Sequence, residues 1–294
     1  MLWPFSLWIG YARRVVSYTL RQIGLVCCLL LAACTHIPSP AVRRQLADTL
    51  AHQHAWQGIH LREGRFDLVA YVPANPIRSK ALSVYIEGDG FAWITNDQPS
   101  TNPTPLDPLA LKLALAQPEG NAAYLARPCQ YDDDEASNCS SRYWTQLRFA
   151  PEVVTAMNQA IDALKQRFGA TRLTLVGYSG GGAVAALVAA RRDDVTRLIT
   201  VAGNLDSSAW AEYHRVSPLS GSLNPTDEVE GLQRIRQWDF VGQKDRDVPP
   251  ALVQQFADRF PAAHRPTVVV EPGFDHHCCW VQAWPTIWQT ITAK

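Results

Sequence analysis

Net charge is the first thing this sequence lacks: 27 Lys and Arg balance 27 Asp and Glu across 294 residues. With no basic stripe either, nucleic acid is excluded as a partner. There is no internal repeat and no long low-complexity tract, so the chain reads as one domain of roughly 250 residues behind a leader. The apolar run at 23–33 is too short to span a bilayer comfortably as a helix. Metal spacing is missing as well. Asp132-Asp133-Asp134-Glu135 has neither the intervening residues nor the glycine of a calcium loop, and reads as a solvated charge run. His276, His277, Cys278 and Cys279 are contiguous, without the spacers that let four ligands face one ion. No metal and no cofactor is expected.

What is present is a 47% hydrophobic chain, enough for a sizeable core, organised around residues 172–187. Leu173 to Val176 is a short apolar run that reads as a buried strand. Residues 183–190 are rich in Ala, Leu and Val and end at Arg191 and Arg192, as a buried helix with cations near its C-terminus does. Between them lies Gly177-Tyr178-Ser179-Gly180-Gly181, the pattern G-x-S-x-G. A strand turning sharply into a helix strains its corner residue and needs small neighbours two positions away on either side. The turn lifts a serine hydroxyl clear of the sheet and points helix-start amides at the same space.

The rest of the chain alternates strands and helices, which specifies a mostly parallel sheet covered on both faces, the α/β class. A helix is expected at 41–55 with Leu46 and Leu50 spaced four apart on one face, then two antiparallel strands turning at Arg62-Glu63-Gly64-Arg65. The strand at 82–86 ends in Glu87-Gly88-Asp89-Gly90, where a loop backbone can approach a bound group. Proline-rich residues 92–108 form a loop at the mouth of the site, followed by a short helix at 109–116 and a strand at 122–126. In the excursion at 127–147, Tyr131, Tyr143 and Trp144 either wall a substrate pocket or cover the core. Residues 151–168 read as a helix with proline at its start and Gly169 at its stop. Residues 198–201 form a strand, and 204–230 read as an irregular insertion above the sheet.

A serine hydroxyl needs a base to take its proton, and the base needs an orienting acid. The strand at 238–241 runs into Gly242-Gln243-Lys244-Asp245-Arg246-Asp247-Val248-Pro249, with Asp245 the candidate acid and Asp247 its alternative. After a helix at 251–260, the last strand, 267–270, ends shortly before His276 and His277, of which His276 is favoured as base. A helix at 280–293 closes the chain. Serine, acid and histidine in this order, each past a strand end, resemble the α/β-hydrolase superfamily over roughly residues 60–292. That resemblance implies a Ser179–His276–Asp245 triad. It also implies an oxyanion hole from the amides of Asp89 and Gly180, with Gly88 or Gly90 possible in place of Asp89. The expected reaction is hydrolysis of a carboxylic ester in a small or lipid-like acyl substrate, with amide or thioester next. The alternatives are an acyltransferase using the same triad and a catalytically silent envelope scaffold.

The leader has a positive flank (Arg13, Arg14, Arg21), a short apolar core and small residues before a break. Leu31-Ala32-Ala33-Cys34 resembles the lipobox of bacterial lipoproteins. This implies a signal peptide at 1–33, lipidation of Cys34, a tether and helix at 34–56, and a hydrolase domain at 57–294. With Thr35 following, it implies an outer-membrane anchor facing the periplasm. Four cysteines then remain: Cys129, Cys139, Cys278 and Cys279, in any of three pairings.

Overall fold

The computed structural model describes residues 37–95, 97–132 and 138–293. The chain divides into units 1–38 and 39–294, and the second contains the whole sheet. Cys34 and most of the acidic run, Asp133 to Glu135, lie outside the described residues.

Eight strands form one sheet: β1 Trp56–Glu63, β2 Phe66–Pro73, β3 Ala81–Ile86, β4 Ala122–Leu125, β5 Arg172–Tyr178, β6 Val195–Val201, β7 Arg236–Gly242 and β8 Thr267–Glu271. Their order is β1-β2-β4-β3-β5-β6-β7-β8. β1 and β2 pair antiparallel with Glu63 opposite Phe66, so the expected turn closes on Gly64 and Arg65; β2 also meets β4 antiparallel. The remaining pairs, from β4–β3 to β7–β8, are parallel.

Alternation along each strand supplies both faces. Leu173 and Leu175 of β5 join one core with Leu82, Val84 and Ile86 of β3, while Val176 and Tyr178 join the other with Tyr85. The first face is covered by α3 (Pro151–Phe168) and α4 (Gly180–Ala189), and the second by α1 (Pro40–Gln53), α2 (Leu109–Leu115) and α8 (Trp280–Thr292). α3 buries Val153, Val154, Met157, Ile161 and Leu164 at the helical period and stops at Gly169 in the left-handed conformation. All ten residues of α4 are buried, which suits a helix apolar all round.

The structure refines four readings. α1 buries Arg43, Ala47 and Ala51, whereas Leu46 is 42% exposed. Small side chains let α1 settle on the fully buried ring of Tyr71, whose hydroxyl donates to Asp48 Oδ1 at 2.8 Å. Residues 204–230 are only partly irregular. Asp206 accepts from the amides of Ser208 and Ala209 and starts α5 (Ser207–His214), a one-turn α6 (Val229–Leu232) lies at its far end, and α7 (Pro250–Ala257) follows β7. Tyr131, Tyr143 and Trp144 are buried and cover the core. The open cysteine pairing resolves as Cys129–Cys139 and the adjacent Cys278–Cys279. Among the described residues no helix is long and apolar enough to cross a membrane.

Candidate active site

Ser179 stands between β5 and α4 with φ 52° and ψ −122°, a conformation that costs about 1–3 kcal/mol for a residue with a Cβ. The corner closes because its neighbours are glycine. A Cβ on Gly177 would overlap the carbonyl of Gly181, and one on Gly181 would overlap the carbonyl oxygens of Ile86 and Glu87. The turn is pinned to the next strand by the Ser179 amide donating to Val201 O at 3.0 Å and the Asn204 amide donating to Ser179 O at 3.0 Å.

Beyond β7 and β8 the structure brings Asp245 and His276 to this serine. His276 Nε2 lies 3.0 Å from Ser179 Oγ, and its Nδ1 lies 2.9 Å from Asp245 Oδ2. The Asp245 side chain is fully buried and that of His276 is 10% exposed. Asp245 Oδ1 accepts from the amides of Asp247 and Val248 at 2.9 and 2.8 Å, so the carboxylate is fixed by its own loop. The two alternatives make other contacts, although a carboxylate oxygen of Asp247 comes within 4.8 Å of the Asp245 and His276 donor atoms. Asp247 offers its carbonyl to Trp210 Nε1 and His214 Nε2 of α5, each at 2.8 Å. His277 lies against Tyr178, with Nδ1 2.9 Å from the phenol oxygen. The same phenol hydroxyl lies 3.3 Å from the His276 carbonyl oxygen.

On the other side of Ser179 the loop after β3 passes close. A Cβ on Gly88 would sit 3.3 Å from that of Ser179. The Gly88 amide is taken by Glu87 Oε1 at 2.9 Å, and its carbonyl by Gln130 Nε2 at 2.9 Å. Neither the Asp89 nor the Gly180 amide donates to another group of the described residues, which leaves both free to meet a bound oxygen. Glu87 itself is buried, and burial pushes its carboxyl up to about 7. Sequence spacing carried no signal for the partners of this loop. Gln130, Arg127 and Arg148 come from an excursion between β4 and α3 whose residues follow no motif.

Donor atoms of Asp245, Asp247 and His276 lie within 4.8 Å of one another, close enough to raise the question of a shared metal ion. Both oxygens of Asp245 and both nitrogens of His276 already have partners, in the pattern of a proton relay rather than of ligands turned toward an ion.

A family described as "alpha/beta hydrolase fold" matches residues 134–268. No curated protein matches the chain. Among solved structures, Est1E from Butyrivibrio proteoclasticus is similar with a TM-score of 0.55 at 15% identity, over 80% of this chain and 97% of that one. XC6422 from Xanthomonas campestris, described as an α/β serine hydrolase without lid, gives 0.52 at 13% identity over 80% and 92%. The esterase PF2001 from Pyrococcus furiosus gives 0.54 at 12% over 81% and 88%. With the sheet order, these establish the α/β-hydrolase fold.

Proposed function

We propose that this chain, with its α/β-hydrolase fold, is a serine hydrolase that cleaves carboxylic esters through an acyl-enzyme. The hydrolase class is supported by the family match and by the esterase and serine hydrolase among its structural likenesses. One observation carries the finer reading: the unbroken line from Ser179 Oγ to His276 Nε2, and from His276 Nδ1 to Asp245 Oδ2, at 3.0 and 2.9 Å.

In this reading Ser179 Oγ attacks the acyl carbonyl while its proton passes to His276 Nε2. Asp245 holds the Nδ1–H tautomer and stabilises the imidazolium that forms. The carbonyl oxygen becomes an oxyanion between the amides of Gly180 and Asp89, where each donor is worth about 3 kcal/mol in the transition state. His276 returns the proton to the leaving alkoxide as the C–O bond breaks. Water, deprotonated by the same imidazole, then releases the acid and restores the serine. No cofactor enters any step.

We further infer that the leader delivers this domain to the bacterial cell envelope, with Cys34 lipidated and held at the outer membrane, so that small or lipid-like acyl compounds reach it from the periplasmic side. The test of the chemistry is labelling of the purified protein by a fluorophosphonate. Labelling that vanishes in Ser179→Ala is expected. A folded wild-type protein that takes no label overturns the reading. Cys34→Ser, losing incorporation of radiolabelled palmitate, tests the anchor.

A further inference from the structure

The Asp89 amide can serve an oxyanion only if its residue is held, and what holds it is buried charge. The Asp89 carboxylate lies across the Cα of Gly180, where any Cβ would overlap it. Its Oδ2 accepts from Arg148 Nη1 at 2.6 Å, and its Oδ1 faces Arg127 Nη1 at 3.4 Å. Both guanidinium groups are nearly out of water, with side chains 4% and 5% exposed, while Asp89 is 19% exposed.

Each arginine is itself fixed. Arg148 Nε donates to Thr145 O at 2.6 Å, and Arg127 donates to the Arg148 carbonyl. Arg127 stacks on Phe149, and Arg148 on Trp210, the residue that also binds the carbonyl beside the triad acid. Burial pushes the Arg127 guanidinium down to about 10, with Asp89 opposing, so it stays charged at neutral pH.

With Glu87 keeping its proton, as burial favours below about pH 7, two buried cations against one anion leave one positive charge over, and desolvation offsets the attraction, which makes a poor stabilising device. Beside an oxyanion the same surplus has a use. A lone carboxylate on Gly180 would oppose negative charge developing next to it, whereas two guanidinium groups outweigh it.

We propose that Arg148, backed by Arg127, is a positioning residue of the oxyanion hole. It clamps the Asp89 carboxylate against Gly180, aims the Asp89 amide at the reacting carbonyl, and leaves the hole with net positive charge. This role rests on the serine hydrolase reading.

The experiment compares full-length wild type, Arg148→Met, Arg148→Lys, Asp89→Ala and the Asp89→Ala/Arg148→Met double variant. The readouts are p-nitrophenyl acetate hydrolysis, fluorophosphonate labelling and thermal melting. Arg148→Met is expected to lower kcat by about 10–100-fold, part of the loss of a whole oxyanion donor, with KM changed less than about threefold. Arg148→Lys should recover part of kcat. The double variant should be no slower than the worse single one, because both break one clamp.

A kcat within twofold of wild type in Arg148→Met, a loss confined to KM, or single losses that multiply in the double variant would overturn the proposal while labelling leaves the hydrolase reading intact. If Arg148→Met does not fold, an unchanged kcat in Arg148→Lys overturns it in the same way. Wild type that takes no label removes the parent reading and this one with it.

Discussion

On the base side of Ser179, Asp245 is gripped by amides two and three residues further along its own loop, and that loop is stitched to the next by Lys244 N donating to Phe274 O at 2.8 Å. On the side proposed to hold the oxyanion, the Asp89 carboxylate depends on arginines 38 and 59 positions away. The first arrangement uses neutral backbone donors that come with the turn. The second takes three charges out of water and works only when the excursion between β4 and α3 is folded. A nucleophile can therefore have one partner built by local geometry and the other by tertiary structure. The two sides respond to different insults. They touch through Tyr178, whose hydroxyl reaches the His276 carbonyl, and through Trp210, which joins Arg148 to the acid loop.

The strongest way to test the base side is Asp245→Asn, which keeps the shape but favours the wrong imidazole tautomer. A loss of about 10⁴ in kcat is expected, with melting nearly unchanged; a loss under tenfold would transfer the acid's role to another group. On the other side, replacing both Cys129 and Cys139 by alanine opens a ten-residue separation inside the excursion that bears Arg127 and Arg148. Urea unfolding should show roughly 2–3 kcal/mol lost, and kcat should fall with it. If kcat is untouched, the fold of the excursion does not govern the hole, and the contrast between the two sides weakens.

Glu87 gives a pH signature on the same side. Its folded carboxyl sits at about 7 because of burial, against an ordinary 4.5, so the native state keeps a proton that the unfolded chain releases across that window. Stability therefore falls as pH rises from about 4.5 to 7 and levels off above. Glu87→Gln should gain about 1–2 kcal/mol on wild type between pH 5 and pH 8 in urea titrations. Parallel pH profiles for the two proteins would contradict it. The smallest effect is expected where the sides meet: Tyr178→Phe removes one hydroxyl and should lower kcat by roughly threefold to tenfold, in keeping with about 1 kcal/mol for a hydrogen bond.

What could be read from sequence obeys the same division. The elbow was legible because strand, serine, small residues and helix lie within 20 positions, and each is dictated by local sterics. Asp245 and His276 were legible because they come just after predicted strands, at the spacing that favours them over Asp247 and His277. Arg127 and Arg148 were not, since no period or spacing marks a residue whose partner lies across a loop. The buried face of α1 was not legible for a related reason. Leu46 and Leu50 share a face of the helix, but its fully buried apolar side chains are Ala47 and Ala51, with Leu46 42% exposed and Leu50 only partly buried against the core. α5 was missed although Asp206-Ser207-Ser208 is a helix-start signal, because Pro218 and Pro225 further on coloured the whole stretch as loop.

The strand directions also decide how the molecule can be handled. β6 starts at Val195 and delivers Val201 to the amide of Ser179, so its starting end lies about 20 Å from the nucleophile. Asp193 lies at that far rim with its side chain 95% exposed and pairs with a half-exposed Arg234, a contact worth little. It is a natural attachment point: a dye, a bead or a fused reporter placed there leaves the reactive mouth facing outward.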